Sequence, residues 1–368
     1  MKIATSFGGH LVLLFHIHRI NPHVAFHNSP HIGLALASVW KPHCRKPEDS
    51  NVTELVSEMC QNDNATNTSN LDNCSIDDFK HAVYPTIYVT IFALSIFGNG
   101  LSIYVFLKLY RKKTPVNVFM LNLAISDLLF VWTLPFRATY YLMKSQWVFG
   151  DIFCRIVSYS LYVNMYCSIY FLTVLSIVRF VAIVHPFKHL KLTTIKYSRI
   201  ICAVIWGFVM TVSSVLLFKE RFGKDYPCKC LDLQEETVQK LLVMNHVVLT
   251  VGFLLPFCTI ICCYVLVIKA LLKPRVPKAK VRASHKKAVS TIVITLFMFL
   301  LCFLPYHILR TVYLLEKCKA FMANCCNLLA KGAVITHSLA AMNSCLDPVL
   351  YYFAGENFKE RLKSIYKR

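Results

Sequence analysis

Charge is scarce in this chain. Of its 368 residues only 16% are Asp, Glu, Lys or Arg, whereas 56% are hydrophobic, and the mean hydropathy is +0.51. That leaves too little polar surface for a soluble globular protein. Acidic side chains are the scarcest, 19 against 40 Lys and Arg, which sets a formal net charge of +21. The sequence has no internal repeat. Its apolar stretches hold no nucleophile–base pair and no histidines at metal-ligand spacing. The first absence speaks against a transporter or channel built on inverted repeats. The second speaks against a membrane enzyme.

Long apolar runs are what the chain has instead. They cover about residues 83–107, 116–141, 152–184, 200–218, 241–272, 288–315 and 330–353. Each reaches the roughly 20 residues a helix needs to cross a bilayer. The fold class expected is an all-α membrane protein, a seven-transmembrane helix bundle over 80–354. A tail, 1–79, precedes it, and a short amphipathic eighth helix with the cytoplasmic tail, 355–368, follows. Residues 108–113, 179–199, 269–287 and 355–368 together carry 22 basic and 2 acidic residues. Positive charge confined to alternate loops marks those loops as cytoplasmic. Nucleic-acid binding, the other common reading of such charge, does not explain the alternation.

The opposite side reads as extracellular on separate grounds. Residues 48–78 hold eight acidic residues, no basic one, and four Asn-x-Ser/Thr sequons at Asn51, Asn64, Asn67 and Asn73. Nine of the 16 cysteines (Cys44, Cys60, Cys74, Cys154, Cys228, Cys230, Cys318, Cys325 and Cys326) fall on that outer side, and none in a basic loop. Such a distribution fits an oxidising compartment. The other seven lie inside apolar runs and are expected to be small buried hydrophobes. The first 45 residues are rich in histidine without a compact metal spacing; they read as a signal segment or a disordered extension. The localisation expected is the plasma membrane, with the N-terminus outside.

Polar residues recur inside the runs, where they are costly and usually functional. Asn99, Asp127, Asn164, Ser168, Asn343, Ser344 and Asp347 place oxygen-bearing side chains near mid-membrane depth. Two buried carboxylates need a proton, a counter-ion or several hydrogen bonds. A sodium ion held by Asp127, Asn164, Ser168, Asn343 and Asp347 would satisfy both at once. A polar network with one Asp protonated and no ion would do so too.

Each run carries one landmark: "GNGL" with Asn99, "NLAISDLL" with Asp127, "VRFVAIVHP" with Arg179, Trp206, "LLPF" followed by Tyr264, "CFLPY" with Pro305, and "DPVLYYF" with Pro348 and Tyr351. In this order, over about residues 80–366, they resemble the rhodopsin-like (class A) G-protein-coupled receptors. Within that family "SIYVFL", "NVFMLNLAISDLLF", "SYSLYVNMY", "CFLPYH" and "LYYFAGENFK" are similar to the cysteinyl leukotriene receptors, type 2 more than type 1. That resemblance implies a receptor for leukotrienes C4, D4 and E4, signalling mainly through Gq-class proteins to phospholipase C and calcium. It also implies switch and G-protein-coupling roles for Asp127, Arg179, Tyr264, Phe303, Pro305, Asp347, Pro348 and Tyr351. Cys154 matches the family's cysteine bonded to the second outer loop, with Cys230 favoured over Cys228 as partner. Cys74 is expected to bond Cys325 or Cys326.

Helical period groups the outer-half residues. Arg137 and Tyr141 share a face, as do Tyr159, Tyr162 and Tyr166, and Tyr306, Arg310 and Tyr313. Lys80 stands at the mouth of the first run, Lys331 at that of the seventh, and His337 deeper. If these faces point inward, the cavity holds cations and tyrosine hydroxyls but no carboxylate, so it prefers an anion. Leu161 stands where amine receptors of the family carry an aspartate. The ligand-binding set expected is Lys80, Arg137, Tyr141, Tyr162, Tyr166, Tyr306, Arg310, Lys331 and His337, with Arg137 as a carboxylate-binding fork. The resemblance implies a lipid-derived anion as the ligand; a nucleotide or another oxidised lipid suits such a cavity as well. Tyrosine stripes are more often packing, and lysines at a mouth can simply snorkel to the interface.

The cytoplasmic end departs from the family pattern. Val178 precedes Arg179 where most members have an acid, and His285 stands where some have glutamate. Arg179 is therefore expected to lack both usual partners. Phe303 replaces a tryptophan, and Asp347 an asparagine. The stretch "ENFKERLKSIYKR" has no cysteine for palmitoylation and only Ser364 for phosphorylation. Arrestin recruitment is expected to be weak, unless the chain is cut short there.

Overall fold

The computed structural model describes residues 76–110, 114–185, 194–214, 230, 244–272, 279–319, 326–355 and 357–366; at 279–288, 316–319, 326–327 and 366 it describes the backbone alone. All of these belong to one unit, Cys44–Arg368. The sequons at Asn51, Asn64, Asn67 and Asn73, and Cys74 and Cys325, lie outside the described residues.

Helix α1 (Asp77–Leu109) starts six residues before its apolar run. Asp77 and Asp78 occupy its first turn, where the helix dipole favours negative charge. Helix α2 (Pro115–Leu142) is capped by Thr114, whose hydroxyl accepts from the Asn117 N–H at 3.3 Å, with Pro115 at the first position. The helix breaks at Trp132–Thr133 because Pro135 has no N–H for the carbonyl four residues back. The Thr133 hydroxyl donates instead to the Phe130 carbonyl at 2.7 Å, and the helix restarts at Leu134.

Helix α3 (Asp151–Val184) packs against α2 and every later span: α4 (Ile195–Ser213), α5 (Met244–Leu271), α6 (Val289–Leu315) and α7 (Cys326–Ala354). Thr194 caps α4 by accepting from the Tyr197 N–H at 3.4 Å. Two π-helical stretches interrupt the later spans, Val248–Leu254 in α5 and Phe299–Phe303 in α6. In the first, the Tyr170 hydroxyl donates to the Val251 carbonyl at 3.0 Å. The second directly precedes Leu304-Pro305, whose missing N–H makes regular helix there unfavourable. Gly98 of α1 lets α7 approach: a Cβ there would stand 2.8 Å from Cγ of Pro348.

By length and composition α1 to α6 can cross a membrane. α7 is long enough, at 29 residues, but His337, Asn343, Ser344 and Asp347 make it more polar. It is enclosed by α1, α2, α3 and α6, so Asn343, Ser344 and Asp347 are fully buried. The bundle is all-α; no strand occurs among the described residues. The short α8 (Phe358–Tyr366) turns its apolar edge inward: Phe358 is buried, and Leu362 and Ile365 pack on the inner core.

Large apolar side chains such as Phe97, Trp132, Val204 and Phe297 are exposed on the outside of the bundle, as a lipid solvent requires. Cys258 and Cys262 join them, which corrects the expectation that all seven run cysteines are buried. They share the exposed face of α5 with Ile261, Val265 and Leu266.

A cationic cavity above an oxygen cluster

The outer end is pinned by a disulfide. Cys154, in the first turn of α3, bonds Cys230 with the Cα atoms 5.8 Å apart, which is the favoured of the two pairings. Below it a cavity of about 280 Å³ opens between α3, α4 and α5, with Arg310 of α6 in its wall. Tyr162, Tyr166, Tyr170, Val209 and Val248 are among the residues that line it. Phe208, Val212, Val247 and Val251 also line it and are partly exposed on the outer face, so the cavity borders the bilayer side.

The Arg310 guanidinium lies 5.7 Å from the centre of the Tyr162 ring and 6.0 Å from that of Tyr306. Such contacts stabilise a cation by about 0.5–2 kcal/mol, well short of the several kcal/mol that removing it from water costs. Arg137, 3% exposed, donates from Nη2 to the Val157 carbonyl of α3 at 2.6 Å. Its Nε is buried without an acceptor. Among the described residues neither guanidinium has a carboxylate partner; the ion pairs seen there, Lys80–Asp77 and Arg155–Asp151, are elsewhere. His337 connects the two arginines. It meets the Tyr306 ring at 5.9 Å and the Tyr84 ring at 6.1 Å, and Tyr84 stacks on Tyr141 at 4.4 Å.

The expected ligand set is therefore sorted by depth. Tyr162, Tyr166 and Arg310 line the cavity; Arg137, Tyr141, Tyr306 and His337 form an adjoining aromatic and cationic wall. Lys80 and Lys331 stand at the rim, where Lys80 meets Asp77 at 3.3 Å and Lys331 lies 5.8 Å over the Phe79 ring. Tyr159 leaves its stripe: its hydroxyl donates to the Met210 carbonyl of α4 at 3.2 Å. Sequence reasoning missed four nearby residues. Tyr170 extends the stripe one turn beyond Tyr166. Asn245 ties α5 to α6 by donating to Thr311 at 2.9 Å. His307, 2% exposed, stacks on Phe253 and has no partner for Nε2, and Gly252 shares the cavity wall. Only His307, next to the "CFLPY" landmark, carried a visible signal.

At mid-depth the chemistry reverses. Asn164 donates to Asp127 at 2.8 Å and Asn343 to Asp347 at 3.3 Å, while Asn99 holds the Ser344 carbonyl at 2.8 Å. Asp127 Oδ2, Asp347 Oδ1, Asn164 Oδ1, Asn343 Oδ1 and Ser168 Oγ are all buried and unpartnered. Five such oxygens on α2, α3 and α7 are the donor set a small hard cation prefers. The residues fit sodium; a proton shared by the two carboxyl groups fits as well.

Towards the cytoplasmic end Tyr264 and Ser176 share a hydrogen bond of 2.6 Å, and Phe303 packs edge-on against Phe299 at 5.3 Å. Tyr351 is wedged between Phe106 and Phe358. Arg179 is held by backbone. Its Nη2 donates to the Ala354 carbonyl at the end of α7, at 2.7 Å, where the helix dipole is negative. Val178 beside it is buried, and the His285 side chain is outside the described residues.

Comparison with known proteins follows the same outline. The profile of the 7 transmembrane receptor (rhodopsin family) matches residues 98–351. Cysteinyl leukotriene receptor 2 of Sus scrofa is 55% identical over 85% of this chain and 90% of its own length. Cysteinyl leukotriene receptor 1 of Homo sapiens is 43% identical over 84% and 92%. The human uracil nucleotide/cysteinyl leukotriene receptor is 36% identical over 77% and 76%.

Proposed function

This chain belongs to the rhodopsin family of seven-transmembrane receptors, and from that premise we propose that it is a cell-surface receptor for cysteinyl leukotrienes. It is a multi-pass membrane receptor and not an enzyme. Its N-terminus faces outward, a reading supported by the sequons and by the basic alternate loops. Ligand binding opens the cytoplasmic end to a heterotrimeric G protein of the Gq class, and calcium is released through phospholipase C. The coupling class rests on the motif resemblance alone.

One observation carries the ligand chemistry: two guanidiniums without carboxylate partners among the described residues, the buried Arg137 and the half-buried Arg310, stand beside a tyrosine-walled apolar cavity. A ligand with carboxylates, a peptidyl head and a long unsaturated tail supplies the missing anions to the arginines and hydrocarbon to the cavity. Each charge-assisted hydrogen bond so formed contributes about 1.5–3 kcal/mol. The oxygen cluster of Asp127 and Asp347 would hold a sodium ion, which there supplies the positive charge the two carboxylates lack. Around it Asn164 and Asn343 orient the carboxylates, and Ser168 adds a fifth oxygen.

A nucleotide is the second reading, favoured by the 36% identity to a receptor named for uracil nucleotides as well. Calcium release in transfected cells separates the two, with leukotriene D4, a uracil nucleotide and a chemokine applied side by side. The leukotriene alone is expected to release calcium. A response to the nucleotide without one to any cysteinyl leukotriene overturns the reading.

A further inference from the structure

Gly252 lies in the π-helical stretch of α5. A Cβ placed on it would stand 2.9 Å from Cε1 and 3.2 Å from Cδ1 of Tyr166, closer than carbon atoms pack. Its other near neighbour, Cγ1 of Val248 at 3.6 Å, is in ordinary contact. The clash is therefore with a single ring. α5 is tied near this point, because Tyr170 donates to the Val251 carbonyl at 3.0 Å and Asn245 to Thr311 at 2.9 Å. On the α6 side of the ring stands His307, 6.0 Å away, itself stacked on Phe253 at 4.5 Å. The space left to the ring is the cavity that Tyr166 and Gly252 both line, with Tyr162, Tyr170 and Arg310. Any side chain at 252 pushes the ring that way.

We propose that Gly252 sets the bore of the ligand cavity. Its missing side chain lets the Tyr166 ring lie back against α5, which keeps open the apolar space beside Arg310 that a long hydrocarbon tail fills. This rests on the reading of the cavity as the ligand's, and it adds the position that decides which tails fit. Gly252 acts on the ligand partly through Tyr166, so its effect must depend on that ring.

The test uses the full-length receptor at matched surface expression. Gly252→Ala is expected to raise the leukotriene D4 concentration for half-maximal calcium release about tenfold, and Gly252→Val further. In a Tyr166→Leu background the same Gly252→Ala change is expected to cost less than about twofold. Melting of the detergent-solubilised receptor gives a readout without ligand: Gly252→Ala lowers the transition temperature, and adding Tyr166→Leu reverses the drop. Should Gly252→Ala fail to reach the surface, the double variant is expected to recover it. Wild-type potency in Gly252→Ala, an equal loss in both backgrounds, or no recovery in the double variant overturns the proposal. The wild-type response to leukotriene D4 stands apart from these ratios and tests the receptor reading alone.

Discussion

In the outer half of the bundle the buried Arg137 and the half-buried Arg310 have no carboxylate beside them among the described residues; at mid-depth Asp127 and Asp347 are buried near each other, held by the amides of Asn164 and Asn343. The two clusters are built alike. Each gathers like charges on helices distant in sequence and leaves polar atoms unpaired. They differ in how the deficit can be filled. The guanidiniums cannot lose their protons, so the outer cluster is completed only by an anion from outside. Carboxylates can take a proton or a small cation, so the deeper cluster has two ways of being satisfied. The difference teaches that, on the proposed function, one cluster recognises a molecule and the other adjusts with conditions.

The comparison is broken most directly at Arg310. Arg310→Ala is expected to cost about 2–4 kcal/mol of ligand binding, roughly 30- to 1000-fold in leukotriene D4 potency at matched surface expression. Arg137→Ala should lose less, because one of its N–H groups is already committed to the Val157 carbonyl. Equal losses would mean that the two guanidiniums act as one site. The deeper cluster is probed by sodium. Replacing sodium chloride with choline chloride should change agonist affinity about fivefold, a coupling of ~1 kcal/mol, and Asp127→Asn should abolish that sensitivity. If the salt response survives in Asp127→Asn, the cation does not sit there.

The smallest effect concerns the cytoplasmic end, where charge is again met by backbone. Val178→Asp would place a carboxylate next to Arg179 and strengthen its hold in the closed state. Basal inositol phosphate accumulation is expected to fall by about twofold to fivefold, at most ~1 kcal/mol, because Arg179 is already held by the Ala354 carbonyl. Higher basal output in Val178→Asp would mean that the hydrogen bond to Ala354 belongs to the open state.

Much of this is legible in the amino-acid sequence. The spans follow from apolar length, and Asp127, Asp347 and Arg137 stand out because a charge inside an apolar run has few innocent explanations. The cap at Thr114 and the break before Pro135 are equally local signals. What stays hidden depends on how helices turn against one another. Nothing in the period separates Tyr159, which bonds to α4, from Tyr162 and Tyr166 in the cavity wall. Nor can the Arg179–Ala354 bond be foreseen, since a backbone carbonyl acceptor leaves no mark in the sequence. The importance of Gly252 depends on a π turn, and an additional residue within an apolar helix has no compositional signature.

The π turn in α6 has a consequence for how such a chain can change over time. A five-residue turn holds one residue more than α-helix would need over the same rise. The wider turn absorbs that surplus, so deleting one residue from Phe299–Phe303 would restore regular helix and leave the residues after it close to the face they hold now. Arg310 would stay towards the cavity. The same deletion in a regular part of α6 would turn all that follows by about 100°. Length variation in this one stretch is thus a genetic change that a receptor of this build could accept without exchanging its recognition face.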